Sequence, residues 1–244
     1  MKKQTYTSAE HEKFKAYFGI KNKPGEWDIA YMKKAEKYIK YISWIPGLMM
    51  VGIGNSMAMN CAKKSSDIDL YIVTKNNSMW TVRILVTLIF QVLWVRKTSS
   101  EHAGRFCLSF FSTVDGMNFS NFALEKDIYL YFWIIYFKPL YVKWNTYNKF
   151  IEINSAWADF WEYLTTSPLN LLSLQTEEKT NIGPHFSWQE KIVWGLNKII
   201  KTIFLPKTKK SFHDLWKPFG VIISGDLLKF HDKDIRKQVS KDLL

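Results

Sequence analysis

The stretch from Val51 to Thr74, VGIGNSMAMNCAKKSSDIDLYIVT, sets two aspartates on a strand that is otherwise apolar. Leu48 to Ile53 is a short apolar run that opens into Gly54, Asn55 and Ser56, the pattern of a buried strand ending in a tight turn. Ten residues separate Ser56 from Asp67, and Met57 to Cys61 has room for one helical turn. Asp67 to Val73 alternates polar and apolar residues before becoming wholly apolar, so it reads as a second strand. Side chains alternate along a strand with period two, which places the Asp67 and Asp69 carboxylates on one face. Carboxylates that close repel each other unless a cation neutralises them. On an apolar strand the pair therefore predicts a divalent metal with Asp67 and Asp69 as its ligands. Ser56 and the backbone N–H groups beside it, at the start of a short helix, are suited to hold a triphosphate.

The flanking sequence predicts helices around these strands. Asp28 to Trp44 sets Ile29, Met32, Ala35, Ile39 and Ile42 at three- and four-residue steps, the core face of an amphipathic helix. Ser78 to Lys97 reads as a long helix covering one face of the sheet, and Arg105 to Thr113 as the next strand. Glu125 to Phe137 and Ile151 to Leu164 read as further helices, the first ended by Pro139. Ser167 to Pro184 is rich in breakers and reads as a connector. Ser187 and Glu190 form a capping box for a helix from Trp188 to Phe204, with a basic loop after Pro206 and an apolar patch at Val221 to Ile223.

The turn containing Ser56, followed at this distance by Asp67, Ile68 and Asp69, resembles the DNA polymerase beta-type nucleotidyltransferases. The resemblance covers about residues 30 to 115. It implies an α/β (α+β) fold, with a small mixed sheet flanked by helices as a catalytic core over residues 1–145 and a helical region over 146–244. It implies that Asp67 and Asp69 bind Mg2+ or Mn2+, and that Gly54, Asn55 and Ser56 hold a nucleoside triphosphate. The activity implied is transfer of a nucleoside monophosphate to an acceptor: an RNA or tRNA end, a protein hydroxyl or a small molecule. Asn55 stands where the family usually has glycine. Members that perform transfer also carry a third carboxylate on the next strand, but Arg105 to Phe111 has none. By position Cys107 or Ser109 occupies that place, and Glu101 and Asp115 are the acids close enough to substitute from loops. Without a substitute, the fold implies a nucleotide- or RNA-binding module, or a partner of antitoxin type.

Composition bounds the rest. The formal net charge of +12 draws polyanions, RNA among them. Two cysteines in unrelated contexts exclude a disulfide framework and fit a reducing cytoplasm. The first fifteen residues are mostly polar and lack the apolar stretch of a secretory signal. The longest apolar run, Ile84 to Val95, falls short of the roughly 20 residues a membrane span needs, so no transmembrane segment is expected. The helices at 78–97 and 188–201 have basic rims and apolar bodies, as membrane-docking helices do, but are expected in the interior. Tyr129, Phe132, Trp133 and Tyr136 have the spacing of a core helix face. Cys61 reads as a buried thiol. His231, with Asp232 and Asp234, is a candidate second metal or phosphate site, but reads rather as the solvated start of a helix capped by aspartate.

Overall fold

The computed structural model describes residues 3–160, 188–213, 220–231 and 234–244. Leu48–Ile53 forms β1, buried at every position because it has neighbours on both edges and both faces. Ile68–Thr74 forms β2, antiparallel to β1, and Phe106–Thr113 forms β3, parallel to β2. Lys138–Val142 is β4, Val221–Ile223 is β5 and Leu227–Phe230 is β6. Together they make a mixed sheet in the order β4-β1-β2-β3-β6-β5. The pairs β1–β4, β3–β6 and β5–β6 are all antiparallel.

The described helices are α1 (Ser8–Phe18), α2 (Glu26–Ile39), α3 (Asn55–Ala58), α4 (Met79–Val92), α5 (Ile128–Tyr136), α6 (Thr146–Asn154), α7 (Trp188–His213) and α8 (Arg236–Leu243). Parallel neighbours need a crossover, and α4 supplies it between β2 and β3. It covers one face together with α2: Phe90 and Tyr38 meet Phe106 with ring centroids 4.8 and 5.8 Å apart. The other face carries an aromatic core in which Tyr71 packs against Trp133 and Phe137 near α5 and Phe150 of α6. Outside α5 lies α1, joined through Phe14 and Phe132 at 4.7 Å.

The α+β architecture matches the expectation, while several boundaries do not. Ile29 is exposed, and the inner face of α2 is Asp28, Tyr31, Ala35 and Ile39. Asp28 turns inward because its carboxylate accepts hydrogen bonds from the Gly25 and Ala62 amides. The helix ended by Pro139 is followed at once by β4; at the sheet edge a proline costs no ladder hydrogen bond. The expected helix at 151–164 is α6, lying earlier, at 146–154. The basic stretch past Pro206 continues α7 rather than forming a loop. Residues 146–244 are not wholly helical, since β5 and β6 join the same sheet as β1 to β3, and a division at residue 145 does not separate two cores. The connector at 167–184 and the Ser187 cap lie outside the described residues. Among the described residues no helix is long and apolar enough to cross a membrane.

Candidate functional site

The turn after β1 is tied to β2 and α5. The Gly54 amide donates to the Asp69 carbonyl at 3.1 Å. A Cβ on Gly54 would sit 2.6 Å from Trp133 Cζ2, so glycine here lets the indole close over the turn. Asn55 has φ 54°, the left-handed region that asparagine tolerates better than most residues. Its amide then does what a glycine could not. Nδ2 donates to Asp69 Oδ2 at 2.8 Å, and Oδ1 accepts from Tyr129 Oη at 3.1 Å and Trp133 Nε1 at 2.9 Å. Tyr129 and Trp133, expected as core residues, thus also position the turn. Ser56 stands in the single turn of α3, where its carbonyl accepts the Cys61 amide at 2.9 Å.

Lys138 braces this turn from behind. Its buried ammonium donates to Asn60 Oδ1 at 2.7 Å and the Met57 carbonyl at 3.5 Å, satisfying an orphan carbonyl at the end of α3. Burial pushes the Lys138 ammonium down to about 8, against the attraction of Asp28 and Cys61. The unfolded chain holds that proton up to about pH 10.4, so between about pH 8 and pH 10 folding expels a proton and stability rises with pH. Lys138→Met removes this slope. Urea titrations at pH 7.5 and pH 10 are expected to show wild type gaining about 2–3 kcal/mol on the variant over that window.

One oxygen from each of Asp67 and Asp69 and the sulfur of Cys107 lie within 4.8 Å of one another. Cys107 is paired with Asp69 across the β2–β3 ladder, so it, and not Ser109, occupies the place of a third carboxylate. The ladder slips just beyond this pair, with Tyr71 facing Phe110, and Cys107 Sγ lies 3.3 Å from Ser109 Oγ. Neither loop acid joins the group. Glu101 is exposed and pairs with Arg105. Asp115 follows the far end of β3, roughly 20 Å along the strand, and accepts from Asn76 Nδ2 at 2.6 Å.

Lys97 does join it, through a feature hidden in the sequence. The expected helix at 78–97 ends at Val92, Trp94 adopts φ 54°, and the chain then runs alongside β3. The Phe106 amide donates to the Val95 carbonyl at 2.8 Å and the Lys97 amide to the Phe106 carbonyl at 2.9 Å. This carries Lys97 Nζ to 2.6 Å from Asp67 Oδ2. Burial disfavours the Lys97 ammonium, but the hydrogen bond to Asp67 and the negative charges nearby more than offset that and raise it above the ordinary lysine value.

Burial and then repulsion by Asp67 push the Asp69 carboxyl up to about 6, with the Asn55 and Cys107 hydrogen bonds and Lys97 opposing. Burial and the Asp69 charge push the Cys107 thiol up to about 12, so it remains neutral near pH 7.

A cavity of about 180 Å³ adjoins Asp69, walled by Asn55, Tyr129, Trp133, Ser109 and His231. Its charged wall is internally paired: Lys229 lies 2.8 Å from Asp234, and Arg236 is 2.9 Å from both Asp234 and Asp127. The α8 start does use Asp234 as the sequence suggested, its Oδ1 accepting the Arg236 amide at 3.0 Å. His231, which the sequence offers as a candidate metal or phosphate group but favours as part of a helix start, lines this cavity beside Asp69. Its ring stands edge-on to Phe110, and its Nδ1 is buried without a hydrogen-bond partner. No sequence signal separates it from a capping neighbour, because β3 and β6 bring it to Asp69 from more than 150 residues away.

No family model, no curated protein and no solved structure matches this chain. The reading of the site therefore stands on its own geometry. An unpartnered buried imidazole costs about 1–3 kcal/mol and is retained where something else needs it. Burial, then Lys229, push His231 down to about 4, with Asp234 and Asp67 pulling the other way and Lys97 adding to the fall. Its contribution to stability is present above about pH 6.5 and is lost as pH falls toward 4. His231→Phe is expected to raise the unfolding free energy by about 1 kcal/mol at pH 7, and by more at pH 5. The same variant is expected to slow the reaction proposed below; thermal melts at the two pH values and a transfer assay check both outcomes.

Proposed function

We propose that this chain moves a nucleoside monophosphate from a nucleoside triphosphate to an acceptor hydroxyl. The triphosphate would rest on Gly54, Asn55 and Ser56, and Mg2+ or Mn2+ on Asp67 and Asp69. The observation that carries this reading is the convergence of both carboxylates at the head of β2, with Asn55 of the phosphate-suited turn bonded directly to one of them. The acceptor oxygen would form a bond to the α-phosphorus, its hydroxyl proton would pass to solvent, and the bond from that phosphorus to pyrophosphate would break. Asp67 and Asp69 would suit a hard divalent cation. A neutral thiol such as Cys107 is a poor ligand for it. Bound there, the cation supplies charge neutralisation for the transferring phosphoryl group.

The chain's own residues position the reactants. Asn55 fixes the Asp69 carboxylate, Trp133 and Tyr129 fix Asn55, and the cavity beside them offers room next to Asp69 for a reactant. The net charge of +12 favours an anionic acceptor such as RNA, and a cytoplasmic setting would provide nucleotide, magnesium and reduced thiols together.

A second reading is favoured by one specific observation. Lys97 at 2.6 Å already gives Asp67 a positive partner, and Cys107 stands where a third carboxylate would sit. On that reading the fold binds a nucleotide or RNA without transfer. Incubation with each labelled triphosphate, magnesium, and total cell RNA or protein separates the two. Retained label that vanishes in Asp69→Asn supports transfer, while binding without label incorporation supports the module.

A further inference from the structure

The interior position expected for α7 is not what the fold provides. The helix is fastened to α4 along a narrow stripe. Thr81 Oγ1 donates to the Val193 carbonyl at 3.2 Å, and Asn197 Oδ1 accepts from the Trp80 amide at 2.8 Å and the Thr81 amide at 3.3 Å. Val193 and Asn197 are buried there. Trp188, Ile192, Leu196, Ile199 and Ile203 follow each other at steps of three and four and therefore share another face of the helix. All five lie between 44% and 70% exposed.

Beside this face runs an apolar groove of about 290 Å³ lined by Pro46, Ile84, Leu85, Ile192, Leu196 and Ile200. Ile84 begins a second stripe, along α4, that continues through exposed Leu88 and Val92. Single exposed leucines are ordinary, but two adjoining stripes with a groove between them mark an interaction surface.

Charge selects the occupant. The α7 sequence carries six lysines against one glutamate. Lys191, Lys198 and Lys209 fall together on one flank of the isoleucine face, and all three are exposed. A second copy of the chain would bring like charges together across a two-fold axis. RNA would satisfy the lysines and leave the isoleucines in water. An apolar stripe with a tryptophan at its end and a lysine rim is what an interfacial helix needs, the lysine stems reaching out to anionic headgroups.

We propose that α7 and the adjoining stripe of α4 form a docking surface for an anionic lipid bilayer, with the Ile192, Ile199 and Ile203 side chains inserted at the headgroup level. The cavity beside Asp69 lies on the opposite face of the sheet, against α5, so docking leaves it uncovered.

The test is flotation of the full chain with phosphatidylcholine vesicles, plain or containing roughly one-third phosphatidylglycerol. Flotation with the anionic vesicles alone, weakened by high salt, is expected. Lys191→Gln and Lys198→Gln are each expected to lower partitioning about fivefold. Ile192→Asp combined with Ile199→Asp is expected to lower it more than about tenfold at every salt concentration. Both isoleucines are exposed, so thermal melting should be unchanged and will report on folding. The proposal is overturned by absence of flotation, by flotation that ignores the isoleucine substitutions, or by RNA retardation without vesicle binding. Self-association that the isoleucine substitutions abolish, again without vesicle binding, would also overturn it and assign the surface to a second copy.

Discussion

Asp69→Asn is expected to abolish transfer and, in the absence of metal, to stabilise the fold. The two effects share one cause. The Asp69 carboxyl is held up at about 6 by burial and by Asp67, so keeping it ionised at neutral pH costs free energy in the folded state. A group raised in this way stabilises the fold most below about pH 4, and that contribution disappears as pH climbs through about 6. An asparagine keeps the shape, and its Oδ1 can still accept from Asn55 Nδ2, but it carries no charge to be desolvated. The variant should therefore gain about 2 kcal/mol over wild type at pH 7.5 and little at pH 4.5, read by urea titration at both values. Transfer should fall on the order of 1000-fold, because the group lost would act on charge that develops as phosphorus is attacked. Loss of activity together with lower stability at pH 7.5 would assign Asp69 a structural role. Unchanged activity would end the nucleotidyl-transfer reading.

The sequence carried the two strands, the turn between them and the placing of both carboxylates, because each is written in a local rule: the apolar run of β1, the glycine turn and the period of two along β2. Asn55 illustrates where local rules stop. Its departure from glycine is visible as a tolerated left-handed residue, but two of its three hydrogen bonds depend on α5, which folds onto the turn from more than 70 residues later, and the third on the Asp69 side chain of β2. By its sequence Lys97 belongs to a helix rim. The apolar period of α4 extends past Val92, and only the pairing of the following segment with β3 shows that the helix has ended. His231 yields to the helix-cap reading for a similar reason: acids following a histidine have the composition of a helix cap, and β6 is too short to announce itself. The same limit applied to α7, whose isoleucine period says that one face must be covered but not what covers it.

Cys107→Asp is expected to produce the largest gain. Its side chain is paired with Asp69 and lies within 4.8 Å of both carboxylates, so an aspartate there would complete a three-carboxylate site without any change of backbone. In the absence of metal the new charge would have to share Lys97 with Asp67 and Asp69, and the variant should lose about 2–4 kcal/mol of stability. With Mn2+ the sign reverses. Oxygen replaces a neutral thiol, the site gains a negative charge, and Mn2+ should bind about 10- to 100-fold more tightly, raising the melting temperature as metal is added. Cys107→Ser, similar in size but uncharged, should leave metal affinity unchanged and serves as the control. Calorimetric Mn2+ titration of the three proteins then distinguishes the two readings of the site. Measurable affinity in wild type that improves in Cys107→Asp, with faster label incorporation, places the natural protein among active enzymes working with two carboxylates. Affinity that appears only in Cys107→Asp would mean that Lys97 and Cys107 have together replaced the metal, leaving the fold to bind rather than transfer. If neither protein holds Mn2+, the cluster at the head of β2 is not a metal site, and Lys97 serves as its counter-charge.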